Sequence, residues 1–175
     1  FGDADFDGDS NGSADIVEGT FRDGKLISPG RRYEYFGPFQ DGAMEGYGVL
    51  VERTEDGDLE RRYEGSFRDG MYDGEGKMYV SGRLYYSGDF VRGVRTGDGT
   101  QYFYNNDAVE YVGSFKNGTY DGAGTLYFDD GDVRYQGEFS KGLMQGYGKL
   151  YYEKAPRSTK SRLMYEGTFQ DNKMH

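Results

Sequence analysis

The chain has 175 residues, room for one globular domain or two small ones. Its net charge of −10 and pI near 4.6 oppose nucleic-acid binding, which needs a basic face, and weaken a simple electrostatic attachment to anionic lipid. The absence of cysteine excludes disulfides and thiol chemistry, and no apolar run reaches the ~20 residues of a membrane span or the h-region of a signal peptide.

Residues 1–16 are an acidic leader that fits no repeat. Asp3, Asp5, Asp7 and Asp9 alternate there, with Gly8 where a calcium loop would turn. Read from Asp5, the side chains of Asp5, Asp7, Asp9, Asn11 and Asp15 offer oxygens of the kind Ca²⁺ requires. Read from Asp3, the twelfth position is Ala14 where an EF-hand has Glu, so a solvated acidic leader is the competing reading.

From residue 17 to residue 175 one frame returns at intervals of 18 to 30 residues, with units starting near 17, 35, 63, 86, 111, 135 and 165. The frame is clearest over residues 111–127. Numbered from its opening aromatic, it has Tyr at position one, Gly at three, Phe at five, Gly at eight and a G-x-G at twelve to fourteen. Such self-similarity denotes a repeat array. The first unit is degenerate, with Pro29 near the place of its G-x-G, and the last stops in mid-motif at Met174-His175, so the chain is expected to continue.

Positions one, three and five share one face of a strand, and positions two and four are mostly polar, which predicts a half-buried strand. Asp69-Gly70 and Asn117-Gly118 are strong hairpin turns because both residues accept positive φ. A second strand carries Leu50, Met78, Leu126 and Leu150 at position sixteen. Each unit is therefore a β-hairpin, marginal alone, and the hairpins stack into one antiparallel sheet with a shared aromatic face. The 18 Tyr and 12 Phe form its core, with flanking rings laid across bare glycine backbone. Connectors 52–62 and 152–164 are insertions on one edge of the stack.

Chemistry needs more than this composition offers. With no Cys and a single His, neither a nucleophilic triad nor a transition-metal site assembles, and no pair among the many carboxylates stands apart, so the chain is expected not to be an enzyme. Gly74-Glu75-Gly76 lacks the third glycine and the helix of a dinucleotide loop, and five copies of the pattern speak for architecture. Position ten is open: Met44, Tyr72, Tyr120 and Met144 either pack locally or line a partner groove, framed in the central unit by Arg92 and Arg95. Lys154, Arg157, Lys160 and Arg162, in the basic connector, either contact lipid or phosphate or are simply solvated.

The frame Y-x-G-x-F-x-x-G-x-x-x-G-x-G-x-L/M-Y resembles the MORN (membrane occupation and recognition nexus) repeat, from Val17 onward. The resemblance implies an all-β, elongated, single-layer twisted antiparallel sheet of stacked hairpins. It also implies a non-enzymatic scaffold that binds an elongated protein partner, or a second copy, along the aromatic face. Phospholipid or membrane-surface binding is the alternative, and carbohydrate binding, which would favour tryptophan cages that this Trp-free chain lacks, is a third. A cytoplasmic place, peripheral to membrane or cytoskeleton, goes with the family. Its units often carry His before the G-x-G, where this chain has Glu45, Asp73, Thr96, Asp121 and Gln145, and only His175 keeps that residue. No cofactor is implied beyond Ca²⁺ at the acidic leader.

Overall fold

The computed structural model describes residues 21–22, 25–26, 32–54, 56–154 and 161–175. Every regular element among them is a strand. They begin with β1 (Phe21–Arg22), β2 (Lys25–Leu26), β3 (Arg32–Phe36), β4 (Phe39–Gln40), β5 (Ala43–Met44) and β6 (Gly46–Arg53). The central strands are β7 (Leu59–Arg68), β8 (Met71–Val80), β9 (Arg83–Val91), β10 (Val94–Tyr102), β11 (Val109–Lys116) and β12 (Thr119–Tyr127). The last are β13 (Val133–Ser140), β14 (Leu143–Tyr151), β15 (Leu163–Gln170) and β16 (Lys173–Met174).

One open, antiparallel 12-stranded sheet runs in reverse chain order from β16 to β6 and ends with β3 as its edge strand, with β1–β2 and β4–β5 as separate two-stranded pairs. The expected hairpin stack is what forms. The charged connector 52–62 proves shorter than its sequence implies, because Leu59–Arg62 extend β7 and pair back to β6.

The turns explain the register. Arg68 pairs with Met71, leaving the two-residue loop Asp69-Gly70 with φ of 50° and 77°, the type I′ geometry that matches the twist of the strands. The next glycine has a different task. Gly74, at φ 106°, lets β8 bulge between the Gly65–Gly76 and Phe67–Tyr72 pairs, and the bulge keeps Tyr72 on the face of Phe67.

Two kinds of contact tie successive hairpins together. The turn glycine donates its N–H to the position-ten carbonyl of the preceding unit: Gly70 to Met44 (3.0 Å), Gly93 to Tyr72 (2.8 Å), Gly118 to Arg95 (3.0 Å) and Gly142 to Tyr120 (2.8 Å). In three units the position-eleven carboxylate accepts the N–H of the next turn's first residue. Glu45 takes it from Asp69 (3.0 Å), Asp73 from Arg92 (3.2 Å) and Asp121 from Lys141 (3.1 Å). The carboxylate thus serves the backbone of a strained turn. Asp121→Ala should cost about 1 kcal/mol in urea unfolding, whereas Asp121→Asn, which keeps an acceptor, should cost much less. Equal losses in the two variants would argue against this role.

The core is a zigzag of rings. Each position-one Tyr meets the Phe of its own unit and the Phe of the next, edge to face: Tyr111 lies 5.2 Å from Phe115 and 5.2 Å from Phe139. The same two contacts, at 5.0–5.2 Å, run from Phe39 and Tyr35 through to Phe169 and Tyr165. Tyr63, Tyr86, Tyr111 and Tyr135 are at most 1 % exposed. Each position-one hydroxyl finds a carbonyl three residues on, as Tyr111 does on Ser114 at 3.1 Å, so burial leaves no hydroxyl unpaired. The ring lies against the facing glycines, and a Cβ built at Gly124 would fall on the Tyr111 hydroxyl.

Candidate functional site

A second, incomplete layer sits over the zigzag. Tyr33, Tyr72, Tyr85, Tyr120, Met144 and the position-sixteen residues Met78, Leu126 and Leu150 pack on the core while remaining only half-buried. Tyr72 stacks on Tyr63 at 3.8 Å and 13° between planes, and Tyr120 stacks on Tyr111 at 3.8 Å and 12°. Burial and the nearby Glu52 carboxylate push the Tyr72 hydroxyl up to about 12, and burial raises that of Tyr120 further, so both are neutral donors at physiological pH.

The position-ten residues do share one face, but not equally. Met44 is only 2 % exposed and belongs to the core, while Tyr72, Tyr120 and Met144 keep an open side. Arg95 takes the same slot in the central unit: its guanidinium lies 5.4 Å over Tyr86, where Tyr72 and Tyr120 lie over Tyr63 and Tyr111. Arg92 does not frame this face. It occupies an exposed turn at φ 49°, with its N–H held by Asp73.

Beside Arg95 stand two residues that a search for apolar patterns passes over. Arg95 Nη1 donates to Gln101 Oε1 at 2.6 Å, Arg95 Nη2 donates to the Gly118 carbonyl at 2.8 Å, and Gln101 Nε2 donates to Glu110 Oε2 at 2.8 Å. Gln101 is 9 % exposed. The signal for it was available, since it holds position sixteen, where four other units have Leu or Met. Glu110 gave none: it turns toward the network because β11 bulges between the Gln101–Tyr111 and Tyr102–Val109 pairs.

The basic connector is only partly described, since Arg157 and Lys160 lie outside the described residues, as do Asp5, Asp7, Asp9, Asn11 and Asp15. Lys154 forms ion pairs with Asp132 (3.2 Å) and Asp130 (3.5 Å), and Arg162 lies 5.6 Å over Tyr152. Hydrogen bonds from Ser161 and Lys154 hold the Asp132 carboxyl below its ordinary range. Among the described residues no group of three or more His, Cys, Asp or Glu is placed to hold a metal, and no helix is long and apolar enough to cross a membrane.

The other face of the sheet is polar. Arg62 pairs with Glu64 at 2.9 Å and Lys149 with Glu166 at 3.2 Å, while the exposed Tyr47 and Tyr147 donate to Glu64 and Glu166. A shallow cavity of about 330 Å³ opens there at Ala123, between Val112, Thr125, Gln136 and Glu138.

The chain matches no curated protein. A family model described as the MORN repeat matches residues 35–51, 63–82, 86–108, 111–133, 135–154 and 165–175. These segments are the hairpins whose rings form the zigzag, with the degenerate unit before residue 35 left out. The chain belongs to the MORN repeat family.

Proposed function

We propose that this chain is a non-catalytic scaffold that binds an elongated protein segment along its aromatic face. One observation carries the reading: Tyr72, Tyr120, Met78 and Met144 lie half-buried over a finished core, with no second layer of secondary structure covering them among the described residues. Domains ordinarily cover such a face with another layer. Tyr and Met are also residue types that suit adaptable protein contacts.

The backbone favours a helical occupant. All interior strands have their N–H and C=O groups committed to neighbours within the sheet, so this face offers side chains only. An extended segment laid flat on it would bury its own backbone polar groups without partners, whereas a helix satisfies its own. Self-association along the same face is the variant in which the occupant is a second copy. The described cations of the basic connector give less support to a lipid surface, since Lys154 is already committed to Asp130 and Asp132.

The test is selection of helix-forming peptides on the 175-residue chain, with affinities measured by calorimetry. Tyr72→Ala with Tyr120→Ala should weaken selected peptides at least tenfold, roughly the effect of losing one aromatic anchor. Tyr47→Ala with Tyr147→Ala, on the polar face, should leave affinity unchanged. The reverse pattern would place binding on the wrong side of the sheet and end this reading.

A further inference from the structure

Four of the five complete units put Met or Tyr at position ten, and the exception, Arg95, is central. Met44, Tyr72, Tyr120 and Met144 flank Arg95, and Gln101 replaces the Leu or Met of position sixteen in the same unit. Two polar replacements in one repeat, joined to each other by a 2.6 Å hydrogen bond, make a built feature in the middle of an aromatic face.

A guanidinium has five N–H donors. Gln101 and the Gly118 carbonyl occupy one each, and Arg95 enters no ion pair among the described residues. Gln101 stands between Arg95 and Glu110, accepting from the first and donating to the second, so the carboxylate is held by the amide. Tyr86 and Phe115, each with its ring centre 5.4 Å from the guanidinium carbon, flank the cation, which stays only half-buried. The structure holds the cation rigid and keeps donors unspent.

Covering this face would strip water from those donors, and a buried cation without an acceptor is costly. Resting on the groove reading above, we propose that Arg95 is a specificity-determining residue which requires a carboxylate on the docked helix opposite the central repeat. Apolar residues one repeat away on either side meet Tyr72 and Tyr120. Adjacent repeats are two strand spacings apart, about 9.6 Å. Seven helical residues rise about 10.5 Å, so the partner carries its apolar residues seven before and seven after the acid. A lysine or a leucine at the centre is rejected, the first by like charge and the second by the unmet donors. The aromatic row supplies attraction, and Arg95 sets the register.

The probe is a library of 21-residue helix-forming peptides with Leu at positions 4 and 18 and a randomised residue at position 11, presented to the native chain and to Arg95→Tyr. Tyrosine is the residue of the neighbouring units, so this variant keeps the stacking slot filled, and its thermal melt verifies the fold. Asp or Glu should be enriched roughly tenfold over Leu and Lys on the native chain, the scale of one charge-assisted pair. On Arg95→Tyr the preference should turn to apolar residues. If the native chain retains peptides through Tyr72 and Tyr120 but is indifferent to position 11 or prefers Leu there, the Arg95 assignment is overturned and the groove reading stands. If no peptide is retained above a scrambled control, or retention survives Tyr72→Ala with Tyr120→Ala, both fall.

Discussion

Tyr111→Ala is expected to lower the stability of the chain by about 3–5 kcal/mol, the usual cost of emptying a large buried aromatic site. Tyr111 is fully buried and touches Phe115, Phe139 and the face of Tyr120. Its removal also strips the cover from Gly113 and Gly124, whose bare backbone it packs against. The form of the transition should change as well. In a stack where each repeat touches only its neighbours, stability is a sum of repeat and interface terms, and losing the central interface uncouples the two sides. Urea unfolding should then separate into two steps. Tyr111→Phe keeps the ring and loses only the bond to the Ser114 carbonyl, so it should cost about 1 kcal/mol and stay cooperative. A loss below 1 kcal/mol for the alanine variant would mean that the ring zigzag does not hold the sheet together.

Alkaline pH should unfold this protein. Burial pushes the hydroxyls of Tyr35 and Tyr86 up to about 12, and those of Tyr63 and Tyr111 beyond it, from an ordinary value of 10.0. Neighbouring carboxylates add to the shift, Glu45 at Tyr35 and Asp121 at Tyr111, while Arg95 works against it at Tyr86. Tyr72 and Tyr120 are raised in the same way. The folded state therefore holds protons that the unfolded chain gives up, so the stabilisation is complete below pH 10 and is lost as pH rises through the folded values. Each such tyrosine contributes a slope of about 1.4 kcal/mol per pH unit in that window. Several titrating together should bring a steep, cooperative collapse between roughly pH 10 and 12, with β-sheet circular dichroism and tyrosinate absorbance changing at the same midpoint. Ionisation of the full tyrosine complement while the sheet signal stays intact would show that these hydroxyls are accessible.

Much of the fold was legible because its rules are local. A period of two places Tyr111, Gly113 and Phe115 on one face, and Asn117-Gly118 can hardly do anything but turn. What escaped was the path of side chains that leave their own strand. Nothing in the sequence says that Tyr120 folds back to stack on Tyr111, or that Met44, in the equivalent place, sinks into the core. Position ten could be picked out as a row, yet Arg92 and Arg95 look alike in sequence. Only the turn geometry puts the first outside and the second over Tyr86. Glu110 depends on a bulge whose place is set by pairing across strands, and pairing is a property of two segments at once. The carboxylates at position eleven read as a departure from the family's usual His. Their partner, the N–H of the next turn, lies about twenty residues downstream.

The edge-to-face contacts have the same length from one end of the sheet to the other, and this makes the molecule a ruler. Each unit advances the array by one fixed step, and every graduation is marked by the same pair of rings. Gaining or losing a unit would move the ends apart or together by that step without changing any kind of contact inside. On the proposed register, Arg95, standing between like graduations on either side, would be the mark by which a docked helix finds its zero.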